Sequence, residues 1–193
     1  MFKKLLSLFN KKQPWEKQLN ESFERFNNRP IYKVLNIDII ANTHDDGIEQ
    51  LIFDNISQVI GDMKGTEFKT VSKLSPAQQA LYSTWLVEAE VNNGGFNQFY
   101  FNSSGEFANM AVGGFNQFGL TKYAELVQKA NQLFTSIKPD LEKYNDGSME
   151  GFMESYDENP LNELDKEFYN LQTEESVGKA RIGYIRFHPE EFI

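Results

Sequence analysis

A helix that starts at Ser75 has to run into two adjacent glycines, and that constraint shapes the rest of the chain. At Ser75-Pro76-Ala77-Gln78 the serine oxygen can accept from the backbone two or three residues on. Gln78 can reach back to the Ser75 N–H, and proline fits the first turn, where an N–H would go unbonded. Ala77, Leu81, Trp85 and Ala89 then recur at four-residue steps, with Ala80 and Val91 widening the apolar face. The helix enters the run Glu90 to Gly105, which is crowded with amides, aromatics and the pair Gly94-Gly95. The glycines permit a positive φ and a sharp change of direction. Beyond them Phe96, Phe99 and Tyr100 share one helical face, and Asn102-Ser103-Ser104-Gly105 reads as a turn in which either serine can cap the next helix. The expectation is a polar and aromatic knot between helices.

Glu88 and Glu90 lie near the end of the first helix, where the dipole disfavours negative charge and a carboxylate wants donors. One of them is expected to tie the knot by accepting from the free N–H groups of Gly94, Gly95 and Phe96. The amides Asn93, Gln98 and Asn102 leave two readings open: bonds to buried backbone within an interhelical turn, or a pocket for a peptide or small molecule.

Helical spacing continues on both sides. Trp15, Leu19, Phe23 and Phe26 follow Pro14 as a stripe that predicts a core-facing helix. Residues 32–40 alternate like a strand without a partner and read as an extended or short helical connector. Asp45 and Asp46 open a helix that Gly61 stops, with His44 as a cap or surface residue. Glu106 to Phe118 forms a helix in which Gly113-Gly114 lets a neighbour approach closely. The hexapeptide at Gly94 recurs at Gly113, but its flanks differ and it is not a structural repeat. Leu120 to Phe134 makes a helix closed by Ser136 and Pro139, and Val177 to Phe187 makes the last one. The fold class is all-α: a multi-helix domain with a basic amphipathic segment at 1–13, N-terminal helices over 14–73 and a helical core over 74–193, with 14–193 as one domain.

Composition removes whole classes of chemistry. The 193 residues contain no Cys, which excludes disulfides, thiolate nucleophiles and Cys-type metal sites, and suits a reducing cytoplasm. His44 and His188 are the two histidines. No phosphate loop, nucleophile elbow or metal motif is present, so no catalytic, cofactor or metal residue is named. A net charge of −9 argues against gripping nucleic acid directly. No apolar run is long enough to span a bilayer, and the basic residues 1–12 read as a loosely docked terminal turn, with an amphipathic helix in weak contact with an anionic membrane or a partner as the alternative.

The charge is concentrated. Between Asp140 and Glu175 twelve acids stand against Lys143 and Lys166, a net of −10. Met149, Phe152, Met153 and Tyr156, then Leu161, Leu164, Phe168 and Leu171, keep helical spacing through this stretch, so its acids ride on ordered helices. The surface they would form includes Glu150, Glu154, Asp157, Glu158, Glu163, Asp165 and Glu167.

Asn93, Gly94, Gly95, Phe96, Gln98, Phe99 and Asn102, together with Leu161, Leu164, Asp165, Phe168 and the tail from Tyr184 through Arg186, His188 and Pro189 to Phe192, resemble an all-helical bacterial family. Its characterised representative is a DNA mimic. The resemblance covers roughly residues 74–192. It implies a non-enzymatic acidic protein that sets carboxylates in place of DNA phosphates and occupies the DNA-binding face of a basic partner, such as a transcription regulator. A homodimer is compatible with such a surface. This chain departs from the pattern in keeping nineteen Lys and Arg. The other readings are a binding or immunity-type module that uses the amide and aromatic knot, and an enzyme.

Overall fold

The computed structural model describes residues 14–61, 65–144, 146–157 and 159–193. The basic residues 1–12, read as a loosely docked terminal turn, and Glu158 of the acidic set lie outside the described residues. The architecture is all-α, with no strand among the described residues. The chain divides into two compact units, Met1–Ile31 and Tyr32–Ile193.

In the first unit, α1 (Pro14–Asn27) carries its apolar residues along one side. The stripe expected to face a core is exposed instead: Trp15 is 60% and Phe23 57% exposed, and Leu19 and Phe26 are similar. The spacing makes the helix amphipathic, and an apolar stripe does not by itself say what covers it. The Arg29 guanidinium sits 3.7 Å from the centre of the Phe26 ring, where the two attract.

The second unit is arranged around the long helix that begins at Ser75. In chain order its helices are α2 (Ile37–Asn42), α3 (Asp45–Ile60), α4 (Glu67–Val71), α5 (Pro76–Phe101), α6 (Ala108–Gln117), α7 (Thr121–Leu141), α8 (Met149–Glu154), α9 (Leu161–Glu174) and α10 (Val177–Phe187). Short 3-10 turns at Ser103–Phe107, Glu142–Tyr144 and Pro189–Phe192 join or end them. The connector over residues 32–40 resolves into α2, capped by the Asn36 side chain. His44 caps α3, and Gly61 ends it. Ser75 and Gln78 bond reciprocally at the start of α5. The Ser75 hydroxyl also donates to the Glu191 carbonyl, tying the chain's end to this start.

α5 packs against α6, α9, α3 and α4, and the contacts run freely across residue 74. The close approach of α6 depends on Gly114, where a Cβ would sit 2.9 Å from the Ala80 backbone of α5; Gly113 faces open space. Proline does not close α7 as expected. The helix continues through Pro139 to Leu141, although the proline offers no N–H to the Thr135 carbonyl one turn back. A chain of aromatic contacts holds the core. Phe115 stacks on Tyr123, Tyr123 meets Phe168 edge-on, Phe168 meets Phe96, and Tyr100 stacks on Phe134 at 4.2 Å. These rings come from α5, α6, α7 and α9. Among the described residues no helix is long and apolar enough to cross a membrane.

Candidate functional site

The helix α5 breaks at the glycines. Gly94 sits at φ −158°, ψ 27°, and Gly95 at φ 72°, ψ −177°, a region essentially restricted to glycine. A side chain at Gly95 would also collide with the Asp165 carboxylate. Three backbone groups at the break are bonded to side chains of α9 and the turn before it. The Phe96 N–H donates to Asp165 Oδ1 at 2.7 Å, the Gly94 carbonyl accepts from the Tyr156 hydroxyl at 2.8 Å, and Val91 accepts from Tyr169 at 2.8 Å. α9 and the turn before it therefore clasp the kink.

Glu90 does tie the knot, though not through the backbone donors expected of it. Its carboxylate accepts from Gln98 Nε2 at 2.6 Å, Asn102 Nδ2 at 3.0 Å and the Ser104 hydroxyl at 3.1 Å, while Asn93 donates to Gln98 Oε1 at 3.1 Å. Side-chain amides reach across the kink more easily than Glu90 can turn to its N–H groups, and Asp165 takes the backbone donor. Asp165 thus leaves the acidic surface it was expected to join. It points inward, and burial raises its carboxyl above the usual 3.8 despite the Phe96 N–H that favours the charged form.

Glu88 faces another centre. With Glu49 of α3 it grips Arg181 of α10, which is only 2% exposed. Arg181 Nη1 is buried without a hydrogen-bond partner among the described residues. Burial pushes the Glu49 carboxyl up from 4.5 against the pull of Arg181. Burial, with Glu88 adding to it, pushes the nearby Tyr123 phenol up to about 12. The sequence reading missed Arg181 and Glu49. One signal was available: Arg181 lies four residues from both Val177 and Ile185, on the buried face of α10.

A second unforeseen network ties the kink to α8. Asn97 donates to Ser155 Oγ at 2.7 Å and accepts from Asn159 Nδ2 at 3.0 Å, and all three residues are buried. Phe99 is fully buried, so the glycine, aromatic and amide residues singled out in the sequence are largely occupied in holding the break in α5.

Of the remaining acids, Glu163 pairs with Lys166 at 2.6 Å and Glu167 with Lys129 at 2.7 Å. Glu150, Glu154 and Asp157 are exposed and form no ion pair among the described residues. A cleft of about 410 Å³ opens beside the end of α5, with Tyr100, Phe101, Glu106, Phe134, Lys138 and Glu142 among its walls. At the chain's end His188, Glu190 and Glu191 bring possible metal-ligand atoms within 4.8 Å of one another, with Glu191 also accepting from the Tyr184 hydroxyl at 2.9 Å.

No curated protein and no solved structure matches the chain. A family model, that of the DMP19-like protein, matches residues 72–188, from just before the capped start of α5 to the end of α10. That stretch is more than half of the chain and contains the kink, its clasp and the acidic helices, so the chain belongs to the DMP19-like protein family.

Proposed function

We propose that the protein is an acidic binding protein whose carboxylates stand in for DNA phosphates on the DNA-binding face of a basic partner. The observation that carries this reading is the segregation of charge: residues 140–175 hold a net of −10 in a chain of −9. Within that segment Glu150, Glu154 and Asp157 face solvent unpaired among the described residues, and α8 holds Glu150 and Glu154 one turn apart. Four residues of helix rise about 6 Å, close to two steps of about 3.4 Å of duplex axis per phosphate on one strand, so such an edge would stand in for about every second phosphate. The family resemblance carried by Asn93 to Asn102 and the tail motif supports the same reading.

Attraction between such a surface and a basic partner speeds encounter and weakens with salt. The test is a pull-down from the source cell's lysate with wild type and the triple variant E150Q/E154Q/D157N. Capture of a DNA-binding protein at low salt, its release by salt or by competing duplex DNA, and its loss in the triple variant are expected. Capture that ignores salt, DNA and the substitutions overturns the reading.

A further inference from the structure

The cleft at the end of α5 is not explained by the kink it adjoins. Its lining is partly aromatic, with Tyr100 and Phe134, which stack on each other, and Phe101. Its charge is biased negative. Glu106 and Glu142 line it and are exposed. The C-terminal end of the 21-residue helix α7 adds the partial negative charge of its last carbonyls. Lys138 is the one base among the lining residues. It sits in the last turn of α7, where a cation is favoured, and partly offsets the two acids. Phe101 also meets Phe152 of α8 edge-on at 4.8 Å, so one aromatic wall separates the cleft from the helix carrying Glu150 and Glu154.

We propose that this cleft receives an arginine side chain, flanked by apolar residues, from the basic partner. An apolar ligand would leave Glu106 and Glu142 unanswered, and an anion would meet them directly. A guanidinium satisfies both features: its flat face lies on aromatic rings, and its edge donates to carboxylates. Arginine fits better than lysine because it is more weakly hydrated and can stack. The proposal rests on the reading of the protein as a binder of basic partners, and it adds a specific anchor to what would otherwise be diffuse charge attraction.

The test uses the full chain and a labelled, capped peptide, Ala-Leu-Arg-Leu-Leu-Arg-Ala, followed by fluorescence anisotropy, beside a twin in which uncharged citrulline replaces each arginine. The arginine peptide is expected to bind, and the twin to bind about fivefold more weakly or worse. E106Q/E142Q should weaken the arginine peptide by about fivefold, and K138Q should tighten it by about threefold. E150Q/E154Q/D157N, which alters the neighbouring surface, should change it by less than about twofold. These side chains lie at the surface, so the variants are expected to fold, and far-ultraviolet circular dichroism checks that they do. Equal binding of the two peptides, indifference to E106Q/E142Q, or no binding at about 1 mM peptide overturns the cleft. If the peptide fails while salt-sensitive capture persists, only the anchor falls. If the peptide binds as expected while no DNA-binding protein is captured, only the DNA-mimic reading falls.

Discussion

Glu88, Glu90 and Asp165 carry the same charge as Glu150, Glu154 and Asp157, but the fold uses the two sets in opposite ways. The first set lies where α5 meets α3, α9 and α10, and each member is bonded to a group that the fold needs held: Arg181, the amides across the kink, or the Phe96 N–H. The second set sits on or just after α8 with no ion partner among the described residues. The acids of α9 fall between, since Glu163 and Glu167 are exposed yet paired with lysines. Local acidity in a sequence therefore overstates the acidity that a surface offers to a partner. The count relevant to binding is of carboxylates left over after the fold and the lysines have taken theirs.

The largest expected effect lies at the inward extreme. Arg181→Ala leaves the half-buried Glu49 and Glu88 facing each other unpaired, and since breaking a fully buried pair costs about 3–5 kcal/mol, a loss of about 2–3 kcal/mol is expected here. Urea denaturation should show this as a large fall in midpoint, with E49Q added to R181A recovering part of it. A loss below about 1 kcal/mol would mean that these carboxylates do not hold the helices together.

Next comes the kink. Gly95→Ala forces a side chain into a positive φ and onto Asp165, and the combined strain and displaced bond should lower stability by about 2–3 kcal/mol. Because both changes act on the Asp165–Phe96 bond, G95A with D165A should lose clearly less than the two singles added together. Full additivity would show that the clasp and the backbone break are independent.

What could be read from the sequence follows the range of the interactions. The capped start at Ser75, the stop at Gly61, the break at Gly94-Gly95 and the close approach at Gly114 are local or depend on one residue's shape, and each left a mark. The partners of the carboxylates left none. Asp165 is 69 residues from Phe96, and Arg181 lies 93 residues from Glu88 and 132 from Glu49. Periodicity identifies a buried face but not what stands opposite it, which is also why the stripe on α1 was read as core. Glu90 was the right residue with the wrong donors, because chain distance favoured the adjacent N–H groups and three-dimensional reach favoured the amides. The cleft was half legible: the run that supplies Tyr100, Phe101 and Asn102 left a pocket open as one reading, but nothing in the sequence placed Phe134, Lys138 and Glu142 of α7 and the turn after it opposite them.

A smaller effect separates structure from titration at Asp165. Its folded carboxyl holds a proton more tightly than the ordinary 3.8, so the native state binds more protons than the unfolded chain in the window just above that value. The stability from this group is therefore fully present below 3.8 and declines as the pH rises through the raised value. Asp165→Asn keeps an oxygen for the Phe96 N–H and removes the titration. Wild type should lose stability relative to D165N as the pH climbs past 3.8, and parallel profiles would show that the carboxyl is not desolvated.

The smallest effect tests the outward extreme and decides whether it is a separate class. The exposed α9 pairs should each matter little: E163Q or E167Q should change stability by less than about 0.5 kcal/mol. For α8 the expected sign is reversed. Glu150 and Glu154 are like charges one turn apart, which destabilises a helix by a few tenths of a kcal/mol. E150Q/E154Q/D157N should then match or slightly exceed wild type at low salt. The gap should close as salt screens the repulsion, since the Debye length falls from about 10 Å at 0.1 M to about 3 Å at 1 M. A triple variant that instead loses more than about 1 kcal/mol would show these acids holding the fold. A gap that survives high salt would show that something other than charge separates them from the acids of α9. With stability unchanged and partner capture lost, the same three substitutions would mark the α8 carboxylates as ones the fold leaves for a partner.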